Sequence, residues 1–117
     1  MYILIRIYMP PHWFQVLLAL ADHDLHGLGI TKEVFDRTGG RMYLWPGMLY
    51  TALKKMEDGG LIADVAAPAD FTSGGGRPRF YRLTASGRRA CAEEAERMSA
   101  FVDAARAKRL IKKTRVV

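Results

Sequence analysis

Several features that would assign a protein to an oxidising or membrane compartment are missing from this sequence. Cys91 is the only cysteine among its 117 residues, so no intrachain disulfide can form and a reducing compartment is expected. The apolar stretch over residues 1–9 carries Arg6 and has no small-residue cleavage site after it. It is also too short for the core of a signal peptide or for a membrane-spanning helix. We therefore expect a cytoplasmic protein with no membrane partner.

The residue patterns of catalysis and of cofactor or metal binding are missing too. The glycines at 74–76 lead into a predicted strand, whereas a phosphate-binding loop leads into a helix. His23 and His26 are three residues apart, as metal ligands often are, but no second Cys or His pair lies near them in the sequence. His26 is expected to cap a helix or to pack at its start. We expect no enzyme activity, no cofactor and no bound metal.

What the sequence does have is an excess of positive charge, with a formal net charge of +6. Such an excess suggests an acidic partner, of which nucleic acid is the commonest. Residues 88–117 hold nine Lys/Arg against four Asp/Glu, whereas residues 1–87 hold nine against eight. The total charge therefore says little about the first 87 residues. The prediction that these residues bind DNA depends on local clusters of positive charge.

Hydrophobic periodicity predicts three helices, a β-hairpin and a long fourth helix. The spacing of Leu49, Leu53 and Met56 gives the third helix a buried face, and Gly39–Gly40 are expected to end the second helix. Thr84 is expected to be the N-cap of the long helix. The predicted elements are helices over residues 10–22, 26–40 and 46–60, strands over residues 61–65 and 79–83, and a helix from residue 84 onward.

This order of elements is typical of a winged helix-turn-helix and predicts a mainly α (α+β) fold, since few small folds share the order. The hairpin would form the wing. The predicted organisation is an N-terminal extension over residues 1–9, a winged helix-turn-helix DNA-binding domain over residues 10–83, and a C-terminal dimerisation helix with a basic tail over residues 84–117.

The third helix carries an outer face that is suited to DNA. Tyr50 and Lys54, and likewise Thr51 and Lys55, are four residues apart on the side opposite the buried stripe. A helix fits the major groove, where such side chains meet base edges and phosphates. Gly47 in the first turn allows a phosphate to approach the free N–H groups of the helix end. The alternative is a helix face that is merely solvated.

The predicted wing is basic at its base. Arg77 and Arg79 follow three consecutive glycines, and arginine in such a loop can follow the DNA backbone or enter the minor groove. Arg82 falls on the opposite face of the strand, because side chains alternate, and is expected to be structural.

Two segments predict a homodimer. The first helix, which includes Phe14 and Leu17, is apolar on almost every side, as expected of a helix buried on more than one face. An apolar seam in the last helix follows the 4-3-4-3 spacing of a short heptad pattern. Within this seam, Cys91 is interpreted as a small buried hydrophobe rather than a redox sensor. The seam consists of Cys91, Ala95, Met98, Val102 and Ala105.

Three stretches, "LLALADHDLHGLGITKEV", "GGRMYLWPGMLYTALKKMEDGGLI" and "GRPRFYRLTASGRRA", resemble the PadR family of transcriptional regulators. The resemblance covers about residues 14–92, and its specific part is the third helix with the wing. It implies a short-tailed dimeric repressor that binds an inverted repeat in double-stranded DNA and is released by a small molecule. The candidate DNA-binding residues, from the family positions and the helix face together, are Lys32, Gly47, Met48, Tyr50, Thr51, Lys54, Lys55, Arg77 and Arg79.

The resemblance also raises an effector site and an alternative function. Trp13, Phe14 and Phe101 are candidates to line a pocket for an aromatic or lipophilic effector between subunits, although aromatic residues at helical spacing are more often core. The sequence departs from the family pattern at Leu28, where a Tyr is usual. It departs again at Met48, which cannot make the phosphate hydrogen bond of the usual small hydroxyl residue. Met48 leaves open a winged-helix protein–protein interaction module without specific DNA binding.

Overall fold

Four helices and three short strands form the part of the chain that the computed structural model describes, residues 9–71 and 78–112. The predicted α+β winged helix-turn-helix architecture is confirmed. Residues 1–8 of the predicted N-terminal extension, the part of the wing that includes Arg77 and the end of the basic tail lie outside the described residues. The helices are α1 (Pro11–Ala19), α2 (Gly27–Arg37), α3 (Pro46–Asp58) and α4 (Ala85–Ala107), and the strands are β1 (Leu25–His26), β2 (Ile62–Val65) and β3 (Phe80–Leu83).

Local signals in the sequence set the ends of the helices. Pro11 and Pro46 lie in the first turns of α1 and α3, where a missing N–H removes no helical hydrogen bond. Gly39 and Gly40 follow α2 with φ angles of 63° and 79°, the left-handed conformation that glycine adopts without strain. The first helix is shorter than predicted, because the chain turns after Ala19 to bring β1 into the sheet.

The junction between the sheet and α4 is closely packed. The hydroxyl of Thr84 accepts a hydrogen bond from the N–H of Gly87 at 3.0 Å, so the predicted N-cap is confirmed. The same hydroxyl donates to the carbonyl oxygen of Leu61 at 3.0 Å. A Cβ atom on Gly87 would lie only 2.0 Å from that carbonyl oxygen. Glycine at this position therefore allows α4 to begin directly against the start of β2.

The sheet is antiparallel with the strand order β1-β3-β2. The predicted hairpin is confirmed: Ile62 pairs with Leu83 and Asp64 pairs with Tyr81 across β2 and β3. The pairing of Leu25 with Tyr81 across β1 and β3 was not predicted. A strand of two residues shows no alternation in the sequence, so only its long-range pairing reveals it.

The core lies between α1, α2, α3 and the inner side of the sheet. The predicted buried face of α3 is confirmed, and the apolar residues on the inner side of α2 are also almost completely buried. Leu44, in the loop before α3, closes the core from that side. The outer faces of α2 and α3 are therefore left to solvent. The buried residues of the two stripes are Ile30, Val34, Leu49, Leu53 and Met56.

The last helix packs against its own α1 and β3 along its first half only. On that half Cys91 and Glu94 are buried, and Met98 packs on the edge of the core. Beyond Met98 the helix is mostly exposed, including Val102. The predicted seam is thus divided within one protomer: Cys91 and Met98 face the protomer's own core, whereas Ala95 and Val102 face solvent.

Candidate nucleic-acid interface

The outer face of α3 is exposed along its whole length. The inward residues of this helix anchor it in the core, and this orientation turns the remaining positions to solvent. Trp45 lies at the N-cap position and is also exposed. The structure therefore places the predicted third-helix residues on a single accessible surface. These residues are Gly47, Met48, Tyr50, Thr51, Lys54 and Lys55.

Tyr50 crosses from α3 to the beginning of α2. Its ring is half exposed, but its hydroxyl lies so close to Gly27 that a Cβ atom there would be 2.4 Å from the Tyr50 oxygen. The ring borders a cleft of about 350 Å³ that is also lined by Leu28, Arg79 and Tyr81. The tip of Tyr50 therefore lies against the beginning of α2, and a side chain at position 27 would displace it.

Arg79 joins the wing to the C-terminal end of α3. Its Nε donates to Asp64 at 3.1 Å, and its Nη2 donates to both carboxylate oxygens of Glu57 at 3.1 and 3.2 Å. Its guanidinium also lies 5.5 Å from the centre of the Tyr81 ring. The hydrogen bond with Asp64 is the main reason that the pKa of Arg79 is raised. In the free protein, the charge of this predicted DNA contact is compensated by two carboxylates.

The lysines predicted to contact DNA differ in their surroundings. Lys32 on α2 donates to Asp36 at 2.7 Å, and this hydrogen bond raises the pKa of Lys32. Lys54 lies 3.6 Å from Asp58, one turn further along α3. Lys55 forms no ion pair with any residue in the ranges 9–71 and 78–112. Three of the four predicted cationic contacts among the described residues, Lys32, Lys54 and Arg79, are therefore already paired within the chain.

Arg82 lies on the other face of β3, as the alternation of a strand predicts. Its Nη2 donates to Asp24 at 2.8 Å and its Nε donates to the same carboxylate at 3.1 Å. Because Asp24 immediately precedes β1, the pair connects the edge strand β1 with the central strand β3 and gives Arg82 a structural role.

An exposed aromatic cluster, formed by Phe35, Tyr43 and Trp45, was not predicted. The rings of Tyr43 and Trp45 meet edge to face with centroids 4.6 Å apart, and those of Phe35 and Tyr43 do so at 6.3 Å. A local signal for it exists in the sequence, since Tyr43 and Trp45 flank the buried Leu44 and must both point outward from an extended segment. The cluster borders the N-terminal end of α3.

The predicted dimer and effector residues fall into two groups. Leu17 is 0% exposed and Phe14 is 8% exposed, so both already belong to the core of a single protomer. Trp13 packs on the edge of that core, whereas Phe101 is 57% exposed on the far half of α4. Phe14 and Leu17 are therefore inaccessible in a single protomer, whereas Phe101 is accessible.

His23 and His26, weighed above as metal ligands, lie in different environments. The His26 ring packs against Phe71 and Phe80, with centroids 4.9 and 5.1 Å away, so it packs at the helix start as expected. His23 lies between two carboxylates, 3.1 Å from Asp22 and 3.7 Å from Glu33. These three residues could supply ligand atoms. Polar contacts among exposed side chains explain the proximity of these three residues equally well.

Within residues 9–71 and 78–112, none of the helices combines the length and the apolar character needed to cross a bilayer.

The fold and the exposed α3 define a winged helix-turn-helix protein. Residues 16–93 match the family model described as the transcriptional regulator PadR-like family, and the chain belongs to that family. The resemblance drawn from the sequence is thereby confirmed. Members of this family are transcription regulators, so the prediction that the chain is not an enzyme is confirmed as well.

Three similar proteins illustrate the relationship. A 37.1 kDa protein in transposon Tn4556 of Streptomyces fradiae is 37% identical over 84 residues; these cover 72% of this chain but only 22% of that longer protein. A PadR family transcription regulator from Clostridium difficile is 26% identical with a TM-score of 0.68, covering 81% of this chain and 94% of its own. Bacillus subtilis PadR in complex with operator DNA has a TM-score of 0.59 and 19% identity, covering 92% of this chain and 51% of its own.

Proposed function

We propose that this chain is a cytoplasmic, dimeric transcriptional repressor that binds an inverted repeat in double-stranded DNA through α3 and the wing. The observation that carries the proposal is the exposed outer face of α3, held beside β3 by the contacts of Arg79 with Glu57 and Asp64. A helix presented in this way can enter a major groove while the wing follows the adjacent backbone. The Bacillus subtilis relative, whose structure contains operator DNA, supports this use of the fold.

Phosphate contacts in this proposal come from two sources. The free N–H groups at the start of α3 are accessible, because Gly47 carries no side chain and nothing lies within 4 Å of where its Cβ would be. Lys55 supplies a charge with no intrachain ion pair among the described residues. Lys32, Lys54 and Arg79 contribute when a phosphate competes with their carboxylate partners, and Arg77 contributes from the predicted wing.

The dimer is proposed to form along the distal half of α4. This half presents large apolar side chains to solvent, and an exposed apolar patch on a soluble protein marks an interaction surface. The seam predicted from the sequence contributes Ala95, Val102 and Ala105 to it, with Met98 at the edge of the core. The exposed large apolar residues of this region are Phe101, Val102, Leu110 and Ile111.

Release of the DNA is proposed to follow the binding of an aromatic or lipophilic small molecule between the subunits. Trp13 and Phe101 retain surface that a second protomer and a ligand can cover, whereas Phe14 belongs to the core of the protomer. An effector site at the dimer interface would connect ligand binding with the spacing of the two α3 helices.

One observation favours a second candidate function, a winged-helix module that binds another protein. Phe35, Tyr43 and Trp45 form an exposed aromatic cluster beside α3, and aromatic residues are enriched in protein interfaces. The same cluster is compatible with DNA binding, because aromatic rings also pack on sugars and bases. The two functions therefore require a binding experiment to separate them.

Selection of bound duplexes from a random DNA pool tests the proposal directly. The expected result is enrichment of one inverted repeat whose affinity falls steeply with salt concentration. Failure to enrich any duplex at low salt would overturn specific DNA binding and leave the protein-interaction module as the function.

A further inference from the structure

The outer face of α3 has few of the side chains that usually read bases by hydrogen bonding. Bidentate hydrogen bonds to guanine or adenine are made by Arg, Lys, Asn and Gln. The segment Pro46–Asp58 contains no Arg, Asn or Gln, and its two lysines lie in the second half of the helix. The first turns of such a helix reach base edges in helix-turn-helix proteins. In α3 these turns therefore carry side chains of other types.

The hydroxyl group of Tyr50, near the start of α3, is not directed towards reading base edges. Tyr50 directs its hydroxyl to the backbone of Gly27, where a Cβ atom would be 2.4 Å from its oxygen. Tyr50 as a whole is half exposed, but its hydroxyl lies beside Gly27 at the beginning of α2.

What the first turns do present is methyl groups. Met48 and Thr51 are three residues apart and both are exposed, so they are neighbours on one side of α3. Lys55 continues the same stripe one turn further. Met48 is 37% exposed even though Leu49 beside it is 2% exposed, so its thioether is not needed to complete the core.

Trp45 gives this stripe an apolar border. It lies three residues before Met48 at the N-cap position, and it is 65% exposed. Tyr43 meets it edge to face at 4.6 Å and so limits the movement of the indole. A group that entered beside Met48 would therefore meet apolar surface and lose water there.

In the major groove, one base presents an apolar group. Thymine carries a C5-methyl group, and apolar side chains, including the methyl of Thr, recognise it by direct contact. A flexible thioether is well suited to such a contact, because Met adapts its shape to irregular apolar surfaces.

We propose that Met48 is a specificity-determining residue that recognises the C5-methyl group of a thymine in each half-site, with Thr51 beside it on the same stripe. This inference rests on the proposed DNA-binding function. Met48 lacks the hydroxyl that would bind a phosphate at this position. In this proposal its thioether contributes base specificity instead.

The test replaces thymine by deoxyuridine in the duplex recovered by selection, because this change removes only the methyl group. Each thymine is replaced in turn at symmetric positions of both half-sites, and Kd is measured at fixed salt. Burial of one methyl-sized group corresponds to about a fourfold change in affinity, so the wild type should lose about fifteenfold for one symmetric pair. At other thymines the loss should be small.

The protein variants assign the methyl contact to a residue. In Met48→Ser the same deoxyuridine pair should have no further effect, whereas Met48→Leu, which keeps the apolar reach, should retain the loss. Leu28→Ser is the matched control, because it removes an exposed apolar side chain from α2 rather than from α3. Thermal melting of each free variant verifies its folding.

The possible outcomes distinguish a failure of this inference from a failure of the proposed DNA-binding function. A fifteenfold loss that is confined to one thymine pair and abolished by Met48→Ser supports the inference. A wild type that is insensitive to every deoxyuridine, or a loss that persists in Met48→Ser, overturns it while DNA binding stands. Failure of the selection to yield any duplex overturns the proposed function and this inference together.

Discussion

At the residue scale, two glycines in α-helices of this chain are expected to respond oppositely to the same substitution. Gly87→Ala would place a Cβ atom 2.0 Å from the carbonyl oxygen of Leu61 and 2.8 Å from a methyl of Leu83, whereas Gly47→Ala meets nothing within 4 Å. Gly87→Ala should lower the free energy of unfolding by about 3 kcal/mol. Gly47→Ala should raise it by about 0.5–1 kcal/mol, since alanine is the better helix former. Equal effects in urea denaturation would contradict these packing distances.

The thiol of Cys91 is expected to make the stability of the protein depend on pH. Burial is the main reason that the pKa of the Cys91 thiol is raised, despite the opposing effect of Arg88. The folded state therefore disfavours the thiolate, so stability is full below the unfolded pKa of about 8.5 and falls as pH rises towards the folded pKa. Between pH 7 and 9.5 the wild type should lose more stability than Cys91→Ala. Equal losses in urea melts would show that the thiol does not titrate differently on folding.

Alkylation gives a second measure of the Cys91 environment. The thiol should react with iodoacetamide about tenfold or more slowly than free cysteine at pH 8, because only the thiolate reacts and the site is buried. A rate equal to that of free cysteine would instead favour the redox-sensor interpretation.

At the scale of elements, the bridge from Arg79 to Glu57 and Asp64 connects α3 with the wing. If Arg79 exchanges these carboxylates for a DNA phosphate, Glu57→Gln combined with Asp64→Asn should tighten binding to random DNA. The salt slope should change little, because Arg79 contacts the same phosphate in both proteins. Weaker binding of the double variant would show that the bridge positions the wing and that Arg79 does not contact phosphate.

The bridge from Arg79 to Glu57 and Asp64 is a contact that the sequence alone does not predict. The pairs Lys32–Asp36 and Lys54–Asp58 follow from a spacing of four in a helix, and the inner stripes of α2 and α3 follow from their period. The approach of Arg79 to Glu57 joins residues 22 positions apart, and the packing of Tyr50 on Gly27 joins two helices. These contacts depend on the tertiary arrangement, so the sequence named Arg79 and Tyr50 but not the partners that hold them.

At the scale of the whole molecule, α4 extends away from the winged domain. The radius of gyration is 16.3 Å, against about 13 Å for a compact chain of this length. A helix of 23 residues is about 35 Å long, and only its first half packs on the protomer. The exposed half is available for a second copy of the chain.

Substitution on this half of α4 tests the dimer. Val102→Glu should give monomers in sedimentation equilibrium, because a carboxylate buried without a partner is costly in an apolar interface. Ala100→Glu is the control, since it lies on nearly the opposite side of the same helix and is already exposed. Val102 is preferred to Met98, which packs on the protomer's own core, so a change there would also affect folding. A wild-type protein that sediments as a monomer would refute the dimer.

The measurement that tests the central claim most directly is hydroxyl-radical footprinting of the wild-type protein on its selected duplex. A dimer that places one α3 in each of two successive major grooves should protect two patches related by a dyad. Their centres should lie about 34–36 Å apart, one helical turn of DNA. A single protected patch without a dyad, or uniform reactivity along both strands, would contradict the account.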